Sequence, residues 1–574
     1  MMLDARFTLT FTTGLVAIAL SGCASSGVPD EDLISTSIDA VDTANRIKVA
    51  QDSGAPLFDG MGEYHRPITT TETLAQRYFN QGMVLTFGFN HAEAIRSFRA
   101  AQRLDPSCAM CFWGEALATG PNINVTSKGR AVMSDEQRLA AHAAISKAMD
   151  LRMGASAGEA RLIEAQAARY NGDPSTERYP LDQAYADAMG RYVALFPEDD
   201  DAAAIYAESL MNLMPWDYWS DQGAPKDDTR KIIASLERIL ERSPNHPLAL
   251  HLYIHAVEAS AAPGVAEDEA DRLLTLVPGS GHLVHMPSHI YWRIGRYDDA
   301  AKANIKAAAV DEDYIAACNA QGFYPAAYYP HNIHFLWAAS SMSGQSTMAL
   351  DAARKLATNV HMEQIEQFAT VEFFKTIPLL TLVQFGKWDD ILSLSEPPTP
   401  RDYSTAILSY ARGIAMVHKG NLSGAEAELS RLTKLKDTVQ IRFLDGADYP
   451  ASTLLNIANN LLEGEIALAS GSQDKAISAF EHAVSLQDEL PYMEPPFWYY
   501  PTRQSLGQAL LEIDRPEDAE KVYREDLEDY PRNGWSMAGL IASLEAQNKP
   551  TDEITKNFRI VWSKADIELT RSRF

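Results

Sequence analysis

The sequence predicts an all-α fold, a right-handed α–α superhelix (solenoid) of stacked helical hairpins. The chain has 574 residues, which is too long for one compact hydrophobic core. Pro244 and Pro278 lie 34 residues apart, and small residues recur at spacings that let two antiparallel helices pack closely. A recurring unit of this length indicates a repeat array, in which each unit packs against its neighbours.

The clearest unit begins shortly after residue 70. Gly82, Ala94, Phe98, Ala101 and Pro106 have the spacing of the Gly, Ala, aromatic, Ala and Pro positions in the tetratricopeptide repeat (TPR) consensus. The chain therefore resembles the TPR family. In such a repeat the small residues let two helices approach, the aromatic ring fills the remaining gap, and the proline ends the second helix.

The same register continues through most of the chain. If Pro244 and Pro278 occupy the proline position of the consensus, three consecutive windows open near Leu213, Pro247 and Gly281. The spacing returns in later windows marked by Gly413, Gly464 and Gly507. We predict a TPR-like array over residues 71–574, with a candidate subdivision near 395–405.

Four insertions interrupt the period, at residues 120–137, 215–228, 315–329 and 491–500. Insertions in repeat proteins tend to lie on one face and often serve binding. The last three are rich in aromatic residues and proline. Such residues also fill cores, so both a binding role and a packing role are open at this point.

The N-terminus indicates export and lipidation. An apolar run over residues 7–20 has the length of a signal-peptide core, and no later stretch is long and charge-free enough to span a bilayer. Leu20-Ser21-Gly22-Cys23 resembles a bacterial lipobox. The resemblance implies a lipoprotein signal peptide over 1–22, palmitate or similar acyl chains on Cys23, and a lipid-anchored tether over 23–70. Ala24 favours, by the same analogy, the outer membrane and a site facing the periplasm.

The composition restricts the partners. The hydrophobic fraction of 46% and the charged fraction of 22% are those of a folded protein. The formal net charge of −27 argues against nucleic acid, whose phosphates bind basic surfaces, and against an anionic membrane surface. We therefore expect membrane contact through the lipid anchor only, and a protein or peptide partner in the groove.

Two cysteines form a C-x-x-C pair. Cys108 and Cys111 lie where one repeat ends and the next helix begins, and they are interpreted as a disulfide or a thiol pair. Phe112 follows Cys111 where covalent c-type haem attachment would need histidine.

Histidine is concentrated in one part of the chain. Eight of the 14 histidines lie between His246 and His334. In TPR proteins, fixed positions of each first helix line the concave groove, and spacings of three and four place side chains on one helical face. The resemblance places seven histidines and one glutamate in the groove, on three successive first helices: His251, His255, Glu258, His282, His285, His289, His331 and His334.

This pattern predicts a metal site. Neutral imidazole is the commonest ligand of zinc, copper, nickel and iron, and we expect one of these ions. His251, His255, His285 and His289 are the predicted principal ligands, and the other four residues further ligands or their supports. Two other interpretations are open, namely contact with a ligand without metal and mutual hydrogen bonding inside the superhelix.

The predicted function is a lipid-anchored, periplasm-facing binding scaffold with a histidine-rich concave groove for a transition metal or a metal-containing ligand. The alternatives are a protein- or peptide-binding scaffold without metal, and a metal-dependent hydrolase. Leu252 follows His251 where zinc proteases carry their catalytic glutamate, so a protease is disfavoured. Phrases at 108–114, 285–291, 329–335 and 494–501 look like those of a bacterial lipoprotein-type TPR subfamily, which supplies no reaction.

Overall fold

The computed structural model describes residues 55–125, 133–220, 223–318, 320 and 322–574. This part of the chain is helical and contains no β-strand, only isolated bridges between Asn122 and Val125 and between Trp219 and Pro225. The predicted all-α helical-repeat superhelix is confirmed. The predicted signal peptide and Cys23 lie outside the described residues, and the tether is described only from residue 55.

The helices follow one another in chain order. The first nine are α1 Thr73–Phe87, α2 His91–Leu104, α3 Ala109–Thr119, α4 Asp135–Leu151, α5 Ala157–Ala167, α6 Arg178–Leu195, α7 Asp200–Met211, α8 Thr229–Arg242 and α9 Pro247–Val257. The next nine are α10 Glu267–Leu276, α11 Gly281–His285, α12 Pro287–Arg293, α13 Tyr297–Cys318, α14 Tyr329–Met342, α15 Ser346–Asn359, α16 Met362–Gln367, α17 Phe373–Gln384 and α18 Trp388–Ser393. The last are α19 Asp402–His418, α20 Leu422–Leu435, α21 Val439–Gly446, α22 Ala451–Ala469, α23 Gln473–Asp488, α24 Arg503–Glu512, α25 Pro516–Asp529, α26 Gly534–Ala546 and α27 Asp552–Val561.

The aromatic position of the repeat is wedged between two glycines. A Cβ atom on Gly82 in α1 would lie 2.7 Å from the Phe98 ring, and one on Gly114 in α3 would lie 2.3 Å from it. Phe98 is fully buried in α2, between these two helices. The same contact joins Gly464 to the Phe480 ring. Only glycine allows such close approach of backbone and ring, which explains the recurring residue pattern.

The turn between the two helices of the Gly281 repeat lies at Gly295. This glycine adopts a φ of +77°, and a Cβ there would meet the Pro531 carbonyl oxygen at 2.1 Å. The turn therefore requires glycine for two reasons: its backbone is left-handed, and the Pro531 carbonyl leaves no room for a side chain.

The first helix of the Gly281 window is split. α11 ends at His285 and α12 begins at Pro287, with Met286 between them still in helical conformation. Proline has no N–H to donate to the preceding turn, so the ladder of helical hydrogen bonds is interrupted there. His282, His285 and His289, predicted on one continuous helix, are therefore carried by two short ones.

Two hydrophobic clusters form the core. One runs from Ala55 to Ala339 and the other from Trp292 to Leu544, so they meet around α12 to α14. The candidate subdivision near 395–405 stays a prediction. Within the described residues, no helix combines the length and hydrophobicity needed to cross a bilayer.

Candidate metal centre

Seven of the eight predicted site residues lie close together at the junction of the two hydrophobic clusters. Their nitrogen and oxygen atoms form three groups, in each of which one atom per residue lies within 4.8 Å of the others. The groups are His251–His255–His282, His285–His289–His331 and Glu258–His289–Glu494. We call the first two groups the first triad and the second triad.

In the first triad, two imidazoles are held through Nδ1. His251 Nδ1 lies 2.6 Å from the backbone oxygen of Phe87, and His255 Nδ1 lies 2.8 Å from Glu258 Oε1. A carbonyl oxygen and a carboxylate only accept, so each Nδ1 carries the proton and each Nε2 presents a lone pair. This is the arrangement of metal-binding histidines, whose second ring nitrogen donates to a carboxylate or carbonyl.

The remaining nitrogens of the first triad have no hydrogen-bond partner among the described residues. They are Nε2 of His251, Nε2 of His255 and both ring nitrogens of His282. The three side chains are 0%, 2% and 2% exposed. Leaving a buried polar atom unpaired costs about 1–3 kcal/mol, so a cluster of them indicates a site built for a ligand.

Burial sets the charge of the first triad. Desolvation lowers the pKa of His251 and His282 well below the usual value, and the neighbouring imidazoles lower it further. Burial also lowers the pKa of His255, although Glu258 opposes this. The three imidazoles are therefore neutral at pH 7, the form in which histidine binds a metal ion.

In the second triad, the Nδ1 atoms of two imidazoles also lie close to side-chain oxygens. His285 Nδ1 lies 2.7 Å from Asn304 Oδ1, while the amide nitrogen of Asn304 donates to Ser288 Oγ at 2.7 Å. His289 Nδ1 lies 2.5 Å from Glu258 Oε2, and the Nε2 atoms of His285 and His289 lie 3.0 Å apart. His331 completes the group, its ring 4.8 Å from that of His285.

Glu258 joins the two triads, because its two oxygens hold one histidine of each. Burial alone would raise the pKa of this carboxyl, but His289 and His255 hold it below its usual range. Burial opposes the charged form of His289, yet Glu258 and Glu494 outweigh it and raise its pKa to about 10. Without a metal, a proton on His289 therefore balances the Glu258 carboxylate.

The insertions enclose the triads. The Trp216 ring lies 5.0 Å from His255, edge to face, and the Tyr328 ring lies 4.8 Å from His282. Asn124, in another insertion, donates to the Tyr328 hydroxyl at 2.9 Å, and Glu494 belongs to the fourth. The insertions predicted to serve either binding or packing thus lie against the histidines.

One predicted residue lies apart. The His334 ring stacks on Trp337 at 5.1 Å and is edge-on to Phe373 and Phe374. It belongs to none of the three groups in the described part of the chain, and burial lowers its pKa to about 3. The predicted principal ligands also divide differently: His251 and His255 belong to the first triad, and His285 and His289 to the second.

The C-x-x-C pair belongs to none of the three groups in the described part of the chain. Cys108 and Cys111 are both buried and joined by a disulfide at the N-terminus of α3, with their Cα atoms 5.4 Å apart. Both cysteines belong to the first hydrophobic cluster.

Two residues of the site were missed by the sequence analysis. Glu494 lies far along the sequence from the triads, so spacing could not connect it to them. Only its position in the 491–500 insertion indicated a role in binding. Phe89, in the turn between α1 and α2, stacks on His282 at 5.4 Å and tilts against His251 at 4.5 Å. Its φ of +56° is uncommon for an aromatic residue, and such strained backbone recurs at functional sites.

Comparison with known families supports the predicted repeat. A family model described as tetratricopeptide repeat matches residues 75–108. This match begins at Ala75, so Gly82 takes position 8 and Pro106 position 32, in the predicted register. Residues 75–108 are therefore a tetratricopeptide repeat. A comparison with curated proteins gives no match.

Several solved structures resemble this chain weakly. A human IFIT1 dimer with m7Gppp-AAAA is 12% identical, with 87% of this chain and 92% of that chain covered and a TM-score of 0.31. Yeast Tom70 is 12% identical, with coverages of 87% and 93% and a TM-score of 0.26. The TPR domain of P58(IPK) is 12% identical, with coverages of 79% and 99% and a TM-score of 0.19. Likeness at this level carries no argument about function.

Proposed function

We propose that this protein binds a transition-metal ion through His251, His255 and His282. The observation that carries the proposal is the set of buried imidazole nitrogens without hydrogen-bond partners, two of them on rings fixed through Nδ1. An all-imidazole donor set suits zinc, copper, nickel or iron and disfavours magnesium and calcium, which prefer oxygen.

The burial of the triad favours an ion over a larger ligand. A peptide or polymer would need an open groove at these nitrogens, whereas Phe89, Trp216 and Tyr328 lie against the three rings. Trp216 is 48% exposed, so it marks the side where the cluster comes nearest to solvent. The proposed site therefore holds the metal ion in the buried interior of the scaffold.

Metal retention by the intact chain tests the proposal. The protein would be stripped with a chelator, loaded with Zn²⁺, desalted and subjected to elemental analysis. We expect the intact protein to keep Zn²⁺ and the His251→Ala/His282→Ala variant to keep less. The matched control is His361→Ala/His482→Ala, which removes two exposed histidines. Absence of Zn²⁺ from the intact protein, or equal retention by all three proteins, would contradict the proposal.

The proposal also places the protein at the outer membrane, facing the periplasm and held by acyl chains on Cys23. The support is the lipobox-like sequence ending at that residue and the apolar run before it. Labelled palmitate should enter the intact protein and not the Cys23→Ala variant, which should leave the membrane fraction. Cys318→Ala is the control, and it should remain labelled. Incorporation of labelled palmitate into the Cys23→Ala variant would contradict the proposed lipid anchor at Cys23.

A further inference from the structure

The two triads share more than proximity. In the first triad two imidazoles donate Nδ1–H to a protein oxygen. In the second triad His285 does so, and His289 Nδ1 lies in ion-pair contact with a carboxylate oxygen. The third imidazole of each triad comes from another helix. The oxygens are Phe87 O and Glu258 Oε1 in the first triad, and Asn304 Oδ1 and Glu258 Oε2 in the second. Holding Nδ1 in this way turns Nε2 toward the interior of each group.

The triads also adjoin each other. The rings of His282 and His285 are stacked with centroids 5.8 Å apart, and those of His255 and His289 are 5.4 Å apart. Glu258 lies between the triads and has one oxygen on each side. One residue therefore orients a ligand in both groups.

We infer that the protein holds two transition-metal ions side by side, the second bound by His285, His289 and His331. This inference rests on the proposed metal binding at the first triad and extends it to a two-ion centre. Three imidazoles bind each ion. Glu258 contacts one histidine ligand of each ion, so it supports both sites without binding either ion itself.

The charges around the second triad suit a second cation. Two neighbouring divalent ions repel each other, and carboxylates close to both offset that repulsion. Glu258 and Glu494 supply them: Glu494 Oε2 lies 3.3 Å from His289 Nδ1, and both side chains are buried. The Tyr492 hydroxyl donates to Glu494 and fixes its position in the insertion.

Glu494 and the first triad lie beside different hydrophobic clusters of the chain. The first triad and Glu258 belong to α9 and α11, on the side of the first hydrophobic cluster, whereas Glu494 lies in the insertion between α23 and α24 of the second. The second ion therefore sits where both clusters contribute groups.

Counting ions tests the two-ion centre. The full chain would be stripped, loaded with Zn²⁺ and desalted before elemental analysis. We expect about two ions per intact chain, as in other paired-metal sites. His251→Ala/His282→Ala should keep about one, and His285→Ala/His331→Ala about one, since each leaves one triad of ligands complete. The control His361→Ala/His482→Ala should match the intact protein.

The outcomes separate this inference from the proposed function. One ion in the intact chain, unchanged in the His285→Ala/His331→Ala variant, would overturn the second site and leave the first standing. No bound ion would overturn both. Circular dichroism at matched concentration identifies a variant that fails to fold.

A second measurement needs no variant to fold. Neighbouring Cu²⁺ ions couple magnetically, so the intact protein loaded with increasing Cu²⁺ should lose electron paramagnetic resonance intensity per copper ion as the second site fills. Constant intensity per copper throughout the titration to saturation would overturn the two-ion centre.

Discussion

His255 Nδ1 and Glu258 Oε1 are 2.8 Å apart, one helical turn from each other at the end of α9. The carboxylate can only accept, so the contact fixes the tautomer of His255 and leaves its Nε2 for a metal ion. Because the other oxygen of Glu258 faces His289, this carboxylate is the group through which the two triads are linked.

Glu258→Gln should weaken the binding of Zn²⁺ by about 10–100-fold, the usual effect of losing a carboxylate behind a metal-binding histidine. The amide removes the charge, and its NH₂ cannot accept a proton from either histidine. Isothermal titration of the stripped protein with Zn²⁺ measures the change. Glu553→Gln, at an exposed carboxyl in α27, is the control. Equal affinities of the two variants would contradict the role assigned to Glu258.

Metal loading should stabilise the folded chain. An ion that binds only the native state contributes about 2.7 kcal/mol at a free concentration one hundred times its Kd. The thermal unfolding midpoint should therefore rise on addition of Zn²⁺ and return to its starting value on chelation. Mg²⁺ should leave it unchanged, because magnesium prefers oxygen ligands. A Zn²⁺ shift of the same size in the His251→Ala/His282→Ala variant would show that the stabilising ion binds elsewhere.

Gly82→Ala should destabilise the first repeat by about 1–3 kcal/mol, since its Cβ would overlap the Phe98 ring. The control is Gly446→Ala at the end of α21, where an added Cβ meets no atom within 4 Å. Alanine there should be neutral or slightly stabilising, because it restricts the unfolded chain. Chemical denaturation of both variants compares them. Equal stability of the Gly82→Ala and Gly446→Ala variants would contradict the close contact between the Gly82 backbone and the Phe98 ring.

Asp311 should make stability depend on pH. Burial raises its pKa to about 7, although Tyr324 and Asn332 donate hydrogen bonds to it and oppose the rise. The folded chain therefore keeps a proton that the unfolded chain, with a pKa of about 3.9, has lost. This contribution to stability is complete below the unfolded pKa and disappears as the pH rises through about 7.

The Asp311→Asn variant isolates that contribution. Between pH 5 and pH 7 the intact protein should lose up to about 1.4 kcal/mol per pH unit more than the variant, the value for one proton. Unfolding midpoints measured across this range give the difference. Parallel pH profiles of the two proteins would show that Asp311 does not carry the proton.

The spacing of prolines and glycines in the sequence was enough to predict the repeats. Pro247 and Gly281 were predicted to open windows, and α9 and α11 begin at these residues. Proline at a first helical position and glycine beneath an aromatic ring act through their own geometry, so sequence spacing alone locates them. The grouping of the histidines on inward helical faces was predicted for the same reason.

The composition of the site depended on contacts that spacing does not encode. His331 and His334 share α14 and a spacing of three, yet His331 packs on His285 and His334 on Trp337. Which of the two joins the cluster depends on how α14 is rotated against α11 and α17. That rotation follows from the packing of all three helices together.

By itself, the sequence determined the repeat, its register and the helical faces that carry the imidazoles, because these follow from interactions within a few turns of one chain segment. The tertiary structure alone decided the division into two triads, the exclusion of His334 and the contribution of Glu494 from the insertion between α23 and α24. The physical reason is that the curvature of the superhelix, summed over many repeat interfaces, determines which distant side chains meet.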